Sequence, residues 1–165
     1  MLPVHPGWPR RQCLPGATNE AEGKDHTVSA KTNQELVERL ALEVLTDHNL
    51  DKLEHFFHAD YVEADPAPGM GEGVQGMRQW LEMWIEAFPD ARWTVEEQIS
   101  DDNQVWSRST WRGTHKGDFL GIPATGREVS VSAWTIDRIT DGRIAHSRLI
   151  MDALGLMQQL GAIPA

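Results

Sequence analysis

The spacing of the hydrophobic positions changes near residue 91, from a helical period before it to strict alternation after it. Thr32 and Glu35 fit a capping box, and six apolar residues recur behind it at helical spacing: Leu36, Val37, Leu40, Ala41, Val44 and Leu45. A second apolar stripe runs from Met77 to Phe88 and stops before Pro89. We predict helices from Thr32 to about residue 48 and from about Gly76 to Phe88.

Shorter elements lie between and after these helices. The apolar positions predict a short helix around residues 53–57 and a short strand over residues 61–65. Alternation then predicts four strands, over residues 93–100, 105–112, 128–139 and 143–151, with a tight turn at Asp141-Gly142. A short helix beginning at Asp152 closes the chain.

Helices grouped before an antiparallel run of strands predict the α+β class. We expect a cone-shaped α+β barrel, in which a curved antiparallel sheet wraps around the N-terminal helices. The open end of such a cone is a natural ligand pocket. Some strands are apolar on both faces, as in residues 129–136 and 149–151. The second face needs a partner, so we predict a homodimer through the sheet face.

The first 30 residues differ in composition from the rest. Four prolines interrupt any regular element there, and polar residues dominate from Thr18 onward. We therefore predict a flexible N-terminal tail over residues 1–30 and one domain over residues 31–165.

The net charge of −10 limits the classes of partner. A chain with 25 acidic and 15 basic residues offers no basic field for a nucleic acid or an anionic membrane surface. No apolar run approaches the roughly 20 residues of a membrane helix. The single cysteine, Cys13, excludes an intrachain disulfide. A cytoplasmic protein is the simplest interpretation.

Residues 113–126 contain four of the fourteen glycines of the chain, together with Pro123. This density predicts one shaped loop between two strands. The loop carries His115 and the apolar residues Phe119 and Leu120. Loops held by a rigid sheet often carry binding and catalytic groups.

Four motifs give the chain a resemblance to a known family. They are Phe88-Pro89-Asp90, the segment Gly113–Arg127, Asp141-Gly142-Arg143-Ile144, and the segment Asp152–Gly161. In order and spacing they closely resemble SnoaL-like polyketide cyclases, also called ester cyclases, over about residues 33–161. The resemblance implies the fold of nuclear transport factor two, dimeric or higher. It also implies ring closure by intramolecular aldol condensation without metal or cofactor, with a last-strand carboxylate as acid/base.

The chain departs from the family at the catalytic position. Many relatives carry His-Trp-Asp on the last strand, and that aspartate is the catalytic one. Aligned on its histidine, the triplet here is His146-Ser147-Arg148, and aligned on Asp152-Ala153-Leu154 it is Ser147-Arg148-Leu149. Neither register supplies a carboxylate. Ala64 also stands where relatives often have a histidine.

Three residues are candidates for proton transfer. His115 matches the family histidine beside the pocket, and histidine transfers protons near neutral pH. The alternative interpretation is that His115 fixes the loop. Asp152 matches the family aspartate after the last strand, although an N-cap explains it equally well. Asp65 ends a strand near the expected opening, where turn formation is the alternative.

The candidates for substrate binding are mostly aromatic. Arg148 could hold an enolate or a carboxylate. The tryptophans suggest a pocket for a flat, aromatic or polyketide-like ligand, although core packing is an alternative for each one. The predicted substrate-binding set is Arg148, Trp80, Trp84, Trp106, Trp134 and Phe119.

Three functions remain open at this point. The first is a cofactor-independent cyclase or isomerase acting on a small carbonyl compound. The second is a non-catalytic module that binds an apolar or aromatic small molecule. The third is an epoxide hydrolase-like or hydroxylating relative.

Overall fold

The structure, a computed structural model, describes the backbone of residues 23–164 and the side chains from residue 30 onward. The greater part of the predicted tail, residues 1–22, lies outside this range. Helix α1 begins at Gly23, so the prediction that Thr32 caps it was wrong. Residues 24–31 contain neither glycine nor proline, and nothing in them stops the helix from extending toward the N-terminus.

The helices precede and follow the main run of strands. Helix α1 spans Gly23–Leu40 and continues into a π-helical turn, Ala41–Thr46. A 3-10 turn, Leu50–Lys52, leads into the short α2, Leu53–Phe56. Helix α3 spans Gly73–Ala87, and α4 spans Ala153–Leu160. No helix in the described part of the chain is long and apolar enough to cross a membrane.

Five strands form one open sheet in the order β1-β5-β4-β3-β2. Their bounds are Phe57–Glu63, Arg92–Ser100, Gln104–Thr114, Glu128–Thr140 and Arg143–Met151. Strands β2 to β5 pair antiparallel, as predicted, and β1 adds to β5 in parallel. The α+β class is confirmed, with a mixed sheet that does not close. Residue 57, predicted in a short helix, begins β1 instead.

The hydrophobic core lies between the helices and one face of this sheet. One cluster joins α1, α2 and β1 to the start of β3, the end of β4 and the start of β5. It is centred on Val44, Leu53, Phe56 and Ile144. A second cluster joins α3 and α4 to β3 and β4, around Phe88, Trp111, Phe119 and Leu156. In the second cluster the rings of Phe88 and Trp111 meet edge to face, with centroids 5.1 Å apart. We call this side of the sheet the inner face and the other side the outer face.

The glycine-rich segment is a loop between β3 and β4, as predicted. The backbone N–H groups of Lys116 and Gly117 donate to the Ala87 carbonyl at 2.8 and 3.1 Å. These bonds satisfy a carbonyl that the end of α3 would otherwise leave without a partner. The loop therefore connects the sheet directly to the C-terminal end of α3.

Gly117→Ala tests this attachment. A Cβ at residue 117 would collide with the Glu86 carbonyl oxygen and come within 3.1 Å of the Ala87 Cα. Because both are backbone atoms, we expect a loss of about 2 kcal/mol in the free energy of unfolding, measured by urea denaturation.

Gly126→Ala is the matched control in the same loop. Nothing lies within 4 Å of its added Cβ, but its φ of +68° is unfavourable for alanine. It should cost about 1 kcal/mol from backbone strain alone. A Gly117→Ala variant no less stable than this control would contradict the described packing.

Candidate active-site cavity

A cavity of about 300 Å³ lies between α1, α3 and the inner face of the sheet. Most of its wall is apolar. Its aromatic lining comprises Phe57, Tyr61, Trp80, Trp84, Trp93 and Phe119. Its size is at the lower end of the range typical of small-molecule sites, roughly 300–1,000 Å³.

A row of polar side chains crosses three strands on one wall of this cavity. In the register of the sheet, Ser147 of β5 pairs with Glu63 of β1 on one side and Asp137 of β4 on the other. All three residues line the cavity. Because directly paired residues point to the same face of a sheet, the backbone alone brings two carboxyls and a hydroxyl together.

Asp137 is the most buried carboxyl of the row, with only 4% of its surface exposed. The Ser147 hydroxyl donates to its Oδ1 at 2.6 Å. Burial raises the pKa of Asp137 to about 6, although hydrogen bonds from Ser147 and Thr135 oppose the shift. Desolvation disfavours the charged form, so the ionised Asp137 is a stronger base than an ordinary aspartate.

Tyr61 and Glu63 form the second polar pair of the wall. The buried Tyr61 hydroxyl donates to Glu63 Oε2 at 3.1 Å. Burial raises the pKa of both groups, and the charge of Glu63 raises that of Tyr61 further. The charge of Glu63 also contributes to the raised pKa of Asp137, so the two pairs act on each other.

The charged groups of the lining all carry the same sign. The cavity is lined by three carboxyls, those of Glu63, Asp65 and Asp137, and by no lysine, arginine or histidine among the described residues. Arg148 compensates the charge of Asp65, but an anionic ligand would still meet the carboxyls of Glu63 and Asp137 in a low-dielectric site. The cavity therefore favours a neutral ligand.

The structure places His115 outside this cavity, in the core. Its ring is fully buried and stacks on Phe88, with centroids 5.1 Å apart. Its Nδ1 accepts from the Thr125 backbone N–H at 3.2 Å and lies 3.0 Å from Thr125 Oγ1. This arrangement matches the loop-fixing alternative.

The two predicted catalytic aspartates are also separated from each other. Asp152 is the N-cap of α4, where its Oδ1 accepts from the Gly155 backbone N–H at 2.8 Å. It is not among the residues that line the cavity. Asp65 does line the cavity, and its Oδ2 lies 2.8 Å from Nε of Arg148. Of the three predicted proton-transfer residues, only Asp65 reaches the cavity.

The predicted binding residues divide between the two faces of the sheet. Trp80, Trp84 and Phe119 line the cavity. Trp106 and Trp134 point to the outer face instead, and are 54% and 47% exposed. Each tryptophan is adjacent in sequence to inward-facing residues. Because side chains alternate between the two faces along a strand, each tryptophan faces outward.

Arg148 also points outward, and its neighbour Leu149 lines the cavity. Of the two registers, Ser147-Arg148-Leu149 puts a cavity-lining residue, Leu149, where the resemblance expects the family aspartate. Strand alternation turns the Arg148 side chain to the outer face, so it reaches this cavity only through its ion pair with Asp65.

The sequence reasoning missed Tyr61, Glu63, Asp137 and Ser147. One signal could have found Asp137. In β4 the inward positions alternate through Val129, Val131 and Ala133, and the same parity continues to residues 135 and 137. An aspartate on the apolar face of a strand is an unusual placement, and it indicates a functional carboxyl.

The sequence and the fold of the chain correspond to one protein family. The family model described as SnoaL-like polyketide cyclase matches residues 35–160. The chain belongs to the SnoaL-like polyketide cyclase family.

Individual relatives agree with this assignment. The aklanonic acid methyl ester cyclase DnrD of Streptomyces peucetius is 31% identical over 137 residues, which cover 79% of this chain and 91% of the relative. DauD of Streptomyces sp. (strain C5), also described as an aklanonic acid methyl ester cyclase, is 39% identical over 80 residues. These residues cover 47% of this chain and 50% of the relative. The solved structure of TsrD from Streptomyces laurentii superposes with a TM-score of 0.74 at 32% identity, covering 81% and 97% of the two chains.

His115→Ala should destabilise the fold, because it removes a fully buried ring and the loop contacts of Nδ1. We expect a loss of about 3 kcal/mol in the free energy of unfolding, measured by urea denaturation. Lys116→Ala, at the exposed neighbouring residue, should change it by less than about 1 kcal/mol. A His115→Ala protein of unchanged stability that lost turnover would instead restore the catalytic role.

Asp137→Asn should change the pH dependence of stability. The folded protein binds the Asp137 proton more tightly than the unfolded chain does, because the pKa rises from 3.8 to about 6. The stability that the folded protein gains from this tighter proton binding is fully present below pH 3.8 and is lost as the pH rises through about 6. The shift corresponds to about 3 kcal/mol.

The asparagine variant lacks this titration, so its stability relative to the wild type should increase by about 3 kcal/mol between low and neutral pH. Urea denaturation at a series of pH values measures the difference. Ser147→Ala is an informative companion, because it removes the donor to Oδ1 while the carboxyl stays. A wild-type-minus-variant difference that does not vary with pH would show that Asp137 ionises normally.

Proposed function

We propose that the protein is an acid/base cyclase that closes a ring within a neutral, polyketide-like carbonyl compound, with Asp137 as its general base. The observation that carries this proposal is a carboxyl buried in an apolar cavity, with a pKa of about 6. A base is most effective when its pKa lies near the working pH. At pH 7 an aspartate with this pKa is about 90% ionised and remains an appreciable base.

The reaction needs one proton to leave and one to return. Ionised Asp137 removes a proton from a carbon between two carbonyls, which leaves an enolate. The enolate carbon attacks another carbonyl of the same molecule and forms the new C–C bond. The resulting alkoxide takes the proton back from the Asp137 carboxyl, so the enzyme ends the cycle unchanged. No oxidant, reductant or second substrate is needed.

The surrounding residues would support each step. The Ser147 hydroxyl donates to Oδ1 of Asp137, which helps to orient the carboxyl on the cavity wall. The Tyr61–Glu63 pair supplies further polar groups on the same wall. Trp80, Trp84 and Phe119 can pack against a planar ligand and hold it folded for intramolecular attack.

The substrate class follows from charge. The carboxyls of Glu63 and Asp137 on the cavity wall disfavour a free carboxylic acid and favour an ester or ketone. The relative DnrD is described as a cyclase of a methyl ester, which fits a neutral substrate. This likeness supports the class of reaction and leaves the particular substrate open.

The proposal also accounts for the missing last-strand carboxylate. Leu149 occupies that position and pairs with Thr135, two residues before Asp137 in β4. Residues at such diagonal positions of neighbouring strands lie about 7–8 Å apart. Asp137 therefore supplies a carboxyl one strand away from Leu149, on the wall of the same cavity.

A binding module without catalysis is the second candidate, and the leucine at position 149 favours it. In that case, ligand binding alone would explain the lining of the cavity. The two candidates differ in whether product forms.

The test compares Asp137→Asn with Asp152→Asn on a linear polyketide methyl ester. Asp137→Asn should lose about 10²–10⁴-fold in kcat, because it removes the general base, and should still bind the ester. Asp152→Asn should keep its activity, because asparagine also caps helices and residue 152 lies outside the cavity. Product is measured by mass spectrometry, and binding by the thermal shift that the ester produces.

The pH profile gives a second readout. The wild-type kcat/KM should rise tenfold per pH unit below about 6 and level off above it, because only ionised Asp137 is active. Full turnover by Asp137→Asn would contradict the proposed base. Binding of the ester with no product from the wild type, across esters of different chain length, would favour the binding module.

A further inference from the structure

Two hydroxyls connect the two carboxyls of the cavity wall. The Tyr61 hydroxyl donates to Glu63 Oε2 at 3.1 Å, and the Ser147 hydroxyl donates to Asp137 Oδ1 at 2.6 Å. Burial raises the pKa of Tyr61, and a hydrogen bond with the Ser147 side chain opposes that rise. The four groups therefore form one chain in the order Glu63, Tyr61, Ser147 and Asp137, which we call the relay.

The backbone fixes the order of the relay. In the register of the sheet, Glu63 pairs with Ser147, and Ser147 pairs with Asp137. Tyr61 lies two residues before Glu63 in β1, so the two side chains share a face. The ring of Phe57 packs edge to face against the Tyr61 ring, with centroids 4.5 Å apart. Both hydroxyl-bearing residues are buried between the two carboxyls.

A count of hydrogens shows which protonation state the relay favours. The relay has three links, and each link needs one hydrogen. When both carboxyls are ionised, the two hydroxyls supply two hydrogens, which go to Glu63 and Asp137. The link between Tyr61 and Ser147 then has none. One added proton supplies the third hydrogen, and all three links are satisfied.

The added proton has two positions. When it is on Asp137, Asp137 donates to Ser147, Ser147 to Tyr61, and Tyr61 to Glu63. When it is on Glu63, the three donations run in the opposite direction. A shift of one hydrogen along each link converts one arrangement into the other, and hydrogen bonds in such a chain strengthen one another.

We infer that Glu63 and Asp137 share one proton through the Tyr61 and Ser147 hydroxyls, and that Glu63 is a general acid for the ring closure. The sharing stands on the geometry of the wall, whereas the role of Glu63 in catalysis rests on the proposed function. The proton that Asp137 removes from carbon becomes the shared proton. The relay carries it to Glu63, which gives it to the alkoxide oxygen, and both carboxyls are then ionised again.

Glu63 thus adds a second exit for the proton that the proposed cycle returns from Asp137. This exit matters because the acidic carbon and the new alkoxide oxygen are different atoms of the substrate. Both carboxyls line the cavity, on strands that flank β5 and lie about 9–10 Å apart. A substrate held in one position can therefore lose its proton beside β4 and receive it beside β1.

One other charged group faces the relay from the described cavity lining. Burial raises the pKa of Glu63, and the charge of Asp65 raises it further. Asp65 is itself paired with Arg148. The cavity-lining residues of α1, its π-helical turn, α3, α4 and β2 are all apolar or aromatic, and β3 adds Ser109 and no charge.

Infrared difference spectroscopy of the full chain with ¹³C-labelled glutamate tests the sharing without any turnover. The label separates the C=O band of protonated glutamate from that of protonated aspartate, and ordinary carboxyls titrate at lower pH. As the pH falls through about 6, both bands should rise together, because the added proton is shared. Glu63→Gln should remove the glutamate band from this step and keep the aspartate band. A rise of only one band in the wild type, or of neither, would overturn the sharing.

Turnover of a linear polyketide methyl ester tests the role of Glu63. Tyr61→Phe keeps the ring and removes the hydroxyl. It and Glu63→Gln should each lower kcat about tenfold or more with little change in KM. The double variant should be no slower than the slower single variant, because either change breaks the same relay. Glu54→Gln, at an exposed glutamate of α2 outside the cavity, is the matched control and should keep the wild-type kcat.

The relay and the proposed base fail in different ways. Loss of turnover by Asp137→Asn, with wild-type kcat in Tyr61→Phe and Glu63→Gln, would overturn the role of Glu63 and leave the base in place. Effects that multiply in the double variant would also overturn it, because they indicate two separate structural roles. Full turnover by Asp137→Asn would remove the proposed function and the role of Glu63 with it. Far-ultraviolet circular dichroism confirms that each variant is folded.

Discussion

The chemistry of the cavity depends on one electrostatic constraint: a carboxyl buried in an apolar cavity ionises only at a cost in free energy. Asp137 is 4% exposed, and its burial is the largest cause of its raised pKa. Ser147 and Thr135 reduce this cost by hydrogen bonding without removing it. The remaining penalty lowers stability at neutral pH, and it also makes the ionised carboxyl a stronger base, which the proposed removal of a proton from carbon requires.

The rest of the fold maintains this environment. The pairing of β1, β5 and β4 sets Glu63, Ser147 and Asp137 side by side on one wall. Helix α3 covers the wall with Trp80 and Trp84, and the glycine-rich loop adds Phe119 from the end of β3. His115 serves the same purpose indirectly, since its contacts with Thr125 and Phe88 hold the loop that carries Phe119.

Much of the fold could be predicted from the sequence, because its patterns are local. Strands β2 to β5 each bury one face, so their alternation located them to within about two residues. The parallel pairing of β1 with β5 was not predictable in this way, since it joins segments more than 80 residues apart. The start of α1 was also misplaced, because Thr32 fits a capping box and nevertheless lies inside the helix.

The site was harder to predict than the fold. The family motifs identified the scaffold and a loop that contributes to the cavity, but they directed attention to His115 and Asp152, which serve the loop and the α4 cap. Trp106 and Trp134 were hard to place for a different reason. The number of tryptophans suggested a ligand pocket, whereas the alternation of side chains along the strands puts both on the outer face. Asp137 lies in no family motif, and its importance becomes visible only when pairing sets it beside Ser147 and Glu63.

Titration of the Asp137 side-chain carboxyl carbon by NMR tests the central claim most directly, with Asp137→Asn assigning the resonance. The carboxyl should titrate with an apparent pKa of about 6. Because Glu63 lies on the same wall, the titration should also respond to Glu63→Gln, which removes a negative charge and should lower that apparent pKa. A carboxyl that titrates near 3.8, the ordinary value for aspartate, would contradict the account, because Asp137 would then be neither desolvated nor suited to act as the base.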